Sequence, residues 1–280
     1  MRFGHPCAQK GVVMEFKPCA IVPVYHHANT VWSVVKNLKE QNLPVFIVDD
    51  GNSPEDLQVL NKVAESFPDV TVISHSSNLG KGAAVRTAMR EAHKEGFTHA
   101  LQIDADGQHH PAAIPFFLKE SRRHFKSLIA GFPQYNASVP KSREQGRKIT
   151  NFWVKIETLS RRVPDAMCGF RIYPILQTMP ILENLRSLRM GFDIEILVRL
   201  SWAGVSMFSY PVKVNYPEHG ISNFRMLHDN IDISWLHTRL CCGMLLRLPK
   251  LLVAKKRAAE FRKSRQQKMG EHKWKNTGHR

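Results

Sequence analysis

A chain of 280 residues, 43% hydrophobic and 9% aromatic, can fill the core of one large α/β domain or two small ones, which excludes a disordered or fibrous chain. Lys and Arg number 40 against 24 Asp and Glu, a formal charge of +16, and that excess suits nucleic acid, an anionic membrane or a nucleotide-linked substrate. Five cysteines (Cys7, Cys19, Cys168, Cys241, Cys242) form no CxxC spacing, so neither a disulfide framework nor a zinc site is expected.

Residues 1–18 read as an N-terminal extension without the apolar run of a secretory signal, and no stretch reaches the roughly 18 apolar residues of a membrane span. A cytoplasmic location is expected. Short apolar runs then alternate with amphipathic ones. Strands are predicted at 19–25, 44–50, 70–74, 99–104 and 127–132, with helices at 30–41, 54–67, 82–96 and after Pro111. That order predicts a mostly parallel α/β sheet flanked by helices, whose ligands bind beyond the carboxyl ends of the strands. Tyr25, Asp49, Asp50 and Asp104 each close a predicted strand, so four polar groups converge on one edge.

After residue 135 the pattern changes to a long basic amphipathic segment at 141–162, with a helix expected at 192–204 and a strand at 206–217. Residues 233–257 are apolar but cut by Arg247, Pro249 and Lys250, which fits an interfacial helix or helix pair better than a span. The expected layout is therefore a catalytic domain over 19–220, a membrane-associating segment over 221–257, and a basic tail over 258–280 that frays.

The strand ends carry the chemistry. In LQIDADGQHH (101–110), Asp104, Asp106 and Gln108 offer the oxygens that a hard divalent cation prefers, although Asp and Gly also gather at such ends as turn formers. His109 and His110 are neighbours that rarely aim at one ion, so supporting or surface roles are expected for them. In VDDGN (48–52), Asp49 and Asp50 can accept from a base edge and ribose hydroxyls, or simply form an Asx turn. NLGKG (78–82) sets Lys81 between two glycines at a helix start, where free amides suit a phosphate or the glycines merely turn the chain. Arg171 in DAMCGFRIY (165–173) can pair with a phosphate or sit in a surface ion pair, and Asp165, Asp193 and Glu195 are candidate general bases, of which one can instead cap a helix.

IVPVY, VDDGN, NLGKG, IDADGQH and DAMCGFRIY, in that order and rough spacing, resemble family 2 glycosyltransferases of the GT-A (Rossmann-like) fold, above all the dolichyl-phosphate mannose and glucose synthases. The resemblance covers about residues 19–220. It implies inverting transfer of a sugar from a nucleotide-sugar donor to a lipid-linked or membrane-borne acceptor, a polyprenyl phosphate or a lipid hydroxyl, at the cytoplasmic face of an anionic membrane. It further implies Mg²⁺ or Mn²⁺ on Asp104, Asp106 and Gln108, a nucleoside pocket lined by Pro23, Tyr25, Asp49 and Asp50, and donor contacts from Lys81, Asp104, Ala105 and Arg171. Two departures remove positive charge expected near a phosphate: AGFPQ puts Phe132 and Pro133 where those synthases carry an arginine, and Pro217 and Asn223 replace a later Arg and Lys. A nucleic-acid-binding protein would share the basic charge, but no nucleic-acid motif is present and the cations lie among Leu, Met and Trp. A nucleotidyltransferase would need a Gly-rich loop after IVPVY, which is missing.

Overall fold

The computed structural model describes residues 15–135, 141–160, 163–214 and 226–277. Cys19, Ala20, Ile21, Val22 and Val24 are all buried in β1 (Pro18–Val24), because this apolar run lies inside a sheet covered on both faces. It pairs in parallel with β2 (Val45–Asp49) on one side and β4 (His99–Gln102) on the other. With β3 (Val70–Ser74), β5 (Leu128–Tyr135), β6 (Arg171–Pro174) and β7 (Met207–Val214), the sheet runs β3-β2-β1-β4-β6-β5-β7. Only β6 is antiparallel to its neighbours β4 and β5. The expected strands lie within a few residues of the observed ones.

One face of the sheet packs on α1 (Ala28–Lys39), α2 (Pro54–Ser66) and α4 (Ile114–Arg123), and the other on α3 (Lys81–Lys94), α6 (Ile175–Leu182) and α7 (Phe192–Trp202). Helix α2 starts where Ser53 accepts from the Asp56 amide at 3.2 Å, with Pro54 in its first turn. Helix α3 starts behind Gly80, whose φ of 102° only glycine adopts at little cost. It lies so close to α7 that a Cβ on Gly82 would sit 2.5 Å from Phe192 Cβ.

Helix α5 (Lys141–Glu157) and the terminal helix α8 (Met226–Thr277) lie side by side. Ile233, Leu236, Leu240 and Met244, three or four apart, are buried as one stripe of α8. Within the segment 221–257, expected to associate with a membrane, this stripe is core, while Trp235, Leu245, Leu246, Leu252 and Val253 are exposed. The helix continues to Thr277, so the tail expected to fray is helical over most of its length. Among the described residues no helix is long and apolar enough to cross a membrane. Pro217 and Asn223 lie outside the described residues.

Candidate functional site

Strand β4 delivers Asp104 to the carboxyl edge of the sheet, where Lys81 from the start of α3 meets it at 2.7 Å. Asp193, in the first turn of α7, holds the same ammonium at 2.9 Å. Burial disfavours the charged lysine, yet the two carboxylates outweigh it and hold its pKa above the ordinary value. Behind them runs a buried polar chain: Tyr173 Oη donates to Gln102 Oε1 at 3.2 Å, and Gln102 Nε2 donates to Asp193 Oδ1 at 3.0 Å. Gly169 closes over the pair, because a Cβ there would lie 2.6–2.7 Å from both Asp104 oxygens and Lys81 Nζ.

Asp106 sits one turn further out, its Oδ1 accepting from the Gln108 amide at 3.0 Å, with Gly107 at φ 70° completing the turn. Burial and then the Asp104 charge push its carboxyl above the ordinary value, whereas Lys81 overcomes burial to hold Asp104 below it. Two carboxylates with one lysine between them and the α7 acid leave negative charge uncompensated. His109 packs on Phe170 at 5.3 Å between centroids, has its pKa pushed below the ordinary value chiefly by burial, and leaves Nδ1 buried without a hydrogen-bond partner. Asp104, Asp106 and the Gln108 amide thus fit a hard, oxygen-seeking dication. Among the described residues no three His, Cys, Asp or Glu side chains form such a group.

The two Asp of VDDGN do different work. Asp49 Oδ1 accepts from the Asn52 amide at 3.0 Å and from its side chain at 2.6 Å, an Asx turn that sits buried rather than solvated. Asp50 binds the NLGKG loop: its oxygens take the Leu79 and Gly80 amides, Asn78 Nδ2 and His75 Nδ1, and His75 Nε2 reaches Thr87 on α3. All its acceptor capacity is spent, so Asp50 shapes the loop instead of meeting a nucleoside. Pro23 and Tyr25 are half-buried at the end of β1, and the Ala105 carbonyl accepts from Thr30 Oγ1 at 2.5 Å.

Arg171 corrects a further expectation. It has no exposed surface, and its guanidinium donates to the carbonyls of Cys168, Asp193 and Ala166 at 2.7–2.8 Å. It ties the DAMCGF loop to α7 and is positioned for neither a donor phosphate nor a surface ion pair. Asp165 is locked in the same loop, accepting from the Met167 and Cys168 amides at 2.9 and 2.7 Å and pairing with Arg147 of α5 at 2.8 Å.

Glu195 lies two residues beyond Asp193 and so turns to another side of α7. Its Oε2 accepts from the Ser187 amide at 2.7 Å and its Oε1 pairs with Arg199 at 2.8 Å. Burial works against this carboxylate, but Ser187 and Arg199 outweigh it and hold its pKa below the ordinary value. Its stabilising effect is therefore full above the unfolded-state pKa and disappears as pH falls through the folded one. Glu195→Gln is expected to cost about 1.5–3 kcal/mol at neutral pH, the usual worth of hydrogen bonds to a charged group. Urea unfolding should show that deficit shrinking as the pH is lowered toward the carboxylate range.

Of the residues expected at one sheet edge, Asp49 ends β2 and Tyr25, Asp50 and Asp104 follow β1, β2 and β4 within two residues, and Lys81 joins Asp104 there. Sequence reasoning missed Gln102, Tyr173, Gly169, His75 and Arg147. Gln102 had a visible signal, a polar side chain inside an apolar strand, which is costly to bury unless something pairs with it.

The fold is shared with solved glycosyltransferases. Glucosyl-3-phosphoglycerate synthase from Mycobacterium tuberculosis, solved with Mn²⁺ and UDP-glucose, superposes with a TM-score of 0.58 at 14% identity over 81% of this chain and 78% of that one. Mannosyl-3-phosphoglycerate synthase from Rubrobacter xylanophilus gives 0.58 at 13% identity over 84% and 75%. In sequence, the chain is 25% identical over 218 residues to UDP-N-acetylglucosamine--dolichyl-phosphate N-acetylglucosaminyltransferase of Methanococcus voltae, covering 72% of this chain and 87% of that protein. It is 23% identical over 199 residues to undecaprenyl-phosphate mannosyltransferase of Micrococcus luteus, covering 69% and 81%. The profile of the family described as Glycosyl transferase family 2 matches residues 19–174, more than half of the chain, and the protein belongs to that family and is a glycosyltransferase.

Proposed function

We propose that the protein moves a sugar from a nucleotide-sugar donor to the phosphate of a polyprenyl phosphate at a membrane surface, with inversion at the anomeric carbon. One observation carries the acceptor class: the three carboxylates that could have served as a general base are all engaged. Asp165 is bound by two amides and Arg147, Asp193 by Gln102 and Lys81, and Glu195 by Ser187 and Arg199. A hydroxyl nucleophile needs a base to take its proton, whereas a phosphate monoester is already anionic at neutral pH. The names of the Methanococcus and Micrococcus relatives, both lipid-phosphate transferases, support the same reading.

In the displacement, an acceptor phosphate oxygen forms a bond to the anomeric carbon while the bond from that carbon to the donor diphosphate breaks, the electron pair leaving with the nucleoside diphosphate. Asp104, Asp106 and Gln108 would hold Mg²⁺ or Mn²⁺, which when bound neutralises the diphosphate charge. Lys81 is assigned to the diphosphate as well, since it already answers two carboxylates at that edge. Pro23, Tyr25 and the second oxygen of Asp49 are assigned to the nucleoside. With Phe132 and Pro133 lacking a cation and Arg171 spent on carbonyls, Arg147, paired with Asp165, and Lys81, packed against Gly169, are further positive groups beside the DAMCGF loop. The exposed apolar side chains of α8 and the net positive charge support a peripheral seat on an anionic membrane, assigned to its cytoplasmic face.

The test is a panel of UDP- and GDP-sugars offered with a polyprenyl phosphate and with the corresponding alcohol. The expected product is an acid-labile glycosyl phosphate, formed only in the presence of Mg²⁺ or Mn²⁺. Transfer to the alcohol alone would overturn the acceptor assignment. Gly169→Ala checks the cradle around Asp104, because the added methyl must displace Asp104 or Lys81. A small-to-large change in a packed site costs roughly 1–3 kcal/mol, and about a tenfold weaker Mn²⁺ titration with an intact circular dichroism spectrum is expected.

A further inference from the structure

Helix α5 turns its apolar side chains the wrong way for a helix that packs only on its own protein. It buries Thr150, Val154 and Glu157, while Ile149, Phe152 and Trp153, a patch at i, i+3 and i+4, face outward at 62, 57 and 39% exposure. Its neighbour α8 does the same beside its buried stripe, exposing Leu227, Ile231, Trp235, Leu245 and Leu246. The two helices are joined by Glu157 Oε1 and His237 Nδ1 at 2.7 Å, with the Trp153 and His237 rings 6.4 Å apart. Of fifteen large hydrophobic residues exposed among those described, ten lie on this pair, so the exposure is one surface rather than scatter.

Cations frame that surface. Lys148 and Lys155 are exposed on α5, and Arg247, Lys250, Lys255 and Lys256 on α8, against the exposed Asp232 and the half-buried Glu144, which pairs with Lys148. Apolar side chains bordered by an excess of exposed lysine and arginine match the boundary between acyl chains and anionic headgroups. A second copy of the chain would bring the same cations against themselves, which favours lipid over self-association.

We propose that Ile149, Phe152 and Trp153 of α5 form a second membrane-contacting patch which, together with the outer face of α8, seats the catalytic edge against an anionic bilayer. The inference deepens the lipid-acceptor reading and rests on it. Arg147, which holds Asp165, precedes Ile149 by two residues on the same helix, about half a turn, so the DAMCGF loop meets α5 on the side away from the patch, across the width of the helix. Seating α5 in the headgroup layer thereby holds the loop one helix diameter, roughly 10 Å, from the patch side of α5 and so near the membrane surface.

The experiment uses the full chain, phosphatidylcholine vesicles with and without phosphatidylglycerol, and brominated acyl chains as a quencher of tryptophan fluorescence. Wild-type protein is expected to sediment with the anionic vesicles, and Trp153→Phe to lose part of the quenching. F152Q combined with W153Q should lower partitioning at least about tenfold while leaving the melting temperature, nucleotide binding and turnover of a short water-soluble prenyl phosphate unchanged. Wild-type partitioning by the double variant would overturn the proposal. So would unchanged quenching in Trp153→Phe, or a concentration-dependent dimer that the double variant abolishes. Vesicle binding through α5 without transfer to any lipid phosphate would sink the acceptor assignment alone and leave the membrane contact standing.

Discussion

Asp106→Ala is expected to lower kcat/KM at least about a hundredfold, the scale of losing one preorganised electrostatic group, without lowering the melting temperature. The two halves of that expectation come from the same geometry. Asp106 lies in the turn beyond β4 beside an open Gly107, and its Oδ1 accepts a local hydrogen bond from the Gln108 backbone amide, so alanine removes little packing. Its carboxyl is pushed above the ordinary value by burial and by Asp104, and a group whose pKa is raised on folding costs stability once the pH is high enough to ionise it. Removing it should therefore leave neutral-pH stability unchanged or slightly increased. Added Mn²⁺ should raise the melting temperature of the wild type by mass action and fail to do so for the variant. Equal stabilisation of both proteins by Mn²⁺, or wild-type turnover in chelator, would end the assignment of the cation to this site.

The elements were legible because their apolar runs are set by the sheet that buries them. VTVIS reads as a strand for the same reason that β3 is one, a β-branched run between turn residues. The roles of polar residues were less legible, because a role depends on what comes near in three dimensions. Asp193 and Lys81 are 112 positions apart, and nothing local says that one holds the other. Arg171 reads as a surface or phosphate-binding cation by type, yet three carbonyls gathered from two separate stretches satisfy it in the core. Asp50 reads as a nucleoside ligand by its place at a strand end, but the loop that claims it lies 28 to 30 residues later. The C-terminal helix shows the limit of composition most plainly. Its leucines and tryptophan form one apolar inventory, and only the helical period divides Ile233, Leu236, Leu240 and Met244 from the outward Trp235, Leu245 and Leu246.

Lys81→Met is expected to move two observables in opposite directions, with turnover falling about a hundredfold or more and divalent cation binding becoming at least about tenfold tighter. The ammonium lies 2.7 Å from Asp104 and 2.9 Å from Asp193, in a setting where charges interact more strongly than in bulk water. A dication on Asp104 and Asp106 has to share Asp104 with that ammonium and tolerate its repulsion. Methionine keeps the length of the stem and removes the charge, so the carboxylates turn fully toward the metal. The same loss deprives the departing diphosphate of a fixed positive group and leaves Asp193 with Gln102 and, at 3.9 Å, Arg171 as neighbours. Because Gly169 packs against Lys81 Nζ, the methionine fits without new volume, and the melting temperature in saturating Mn²⁺ serves as the control for folding. Isothermal titration with Mn²⁺ and initial rates at saturating metal separate the two effects. If metal binding weakens along with turnover, Lys81 supports the cation site through structure instead of competing with it, and its assignment to the donor diphosphate loses its basis.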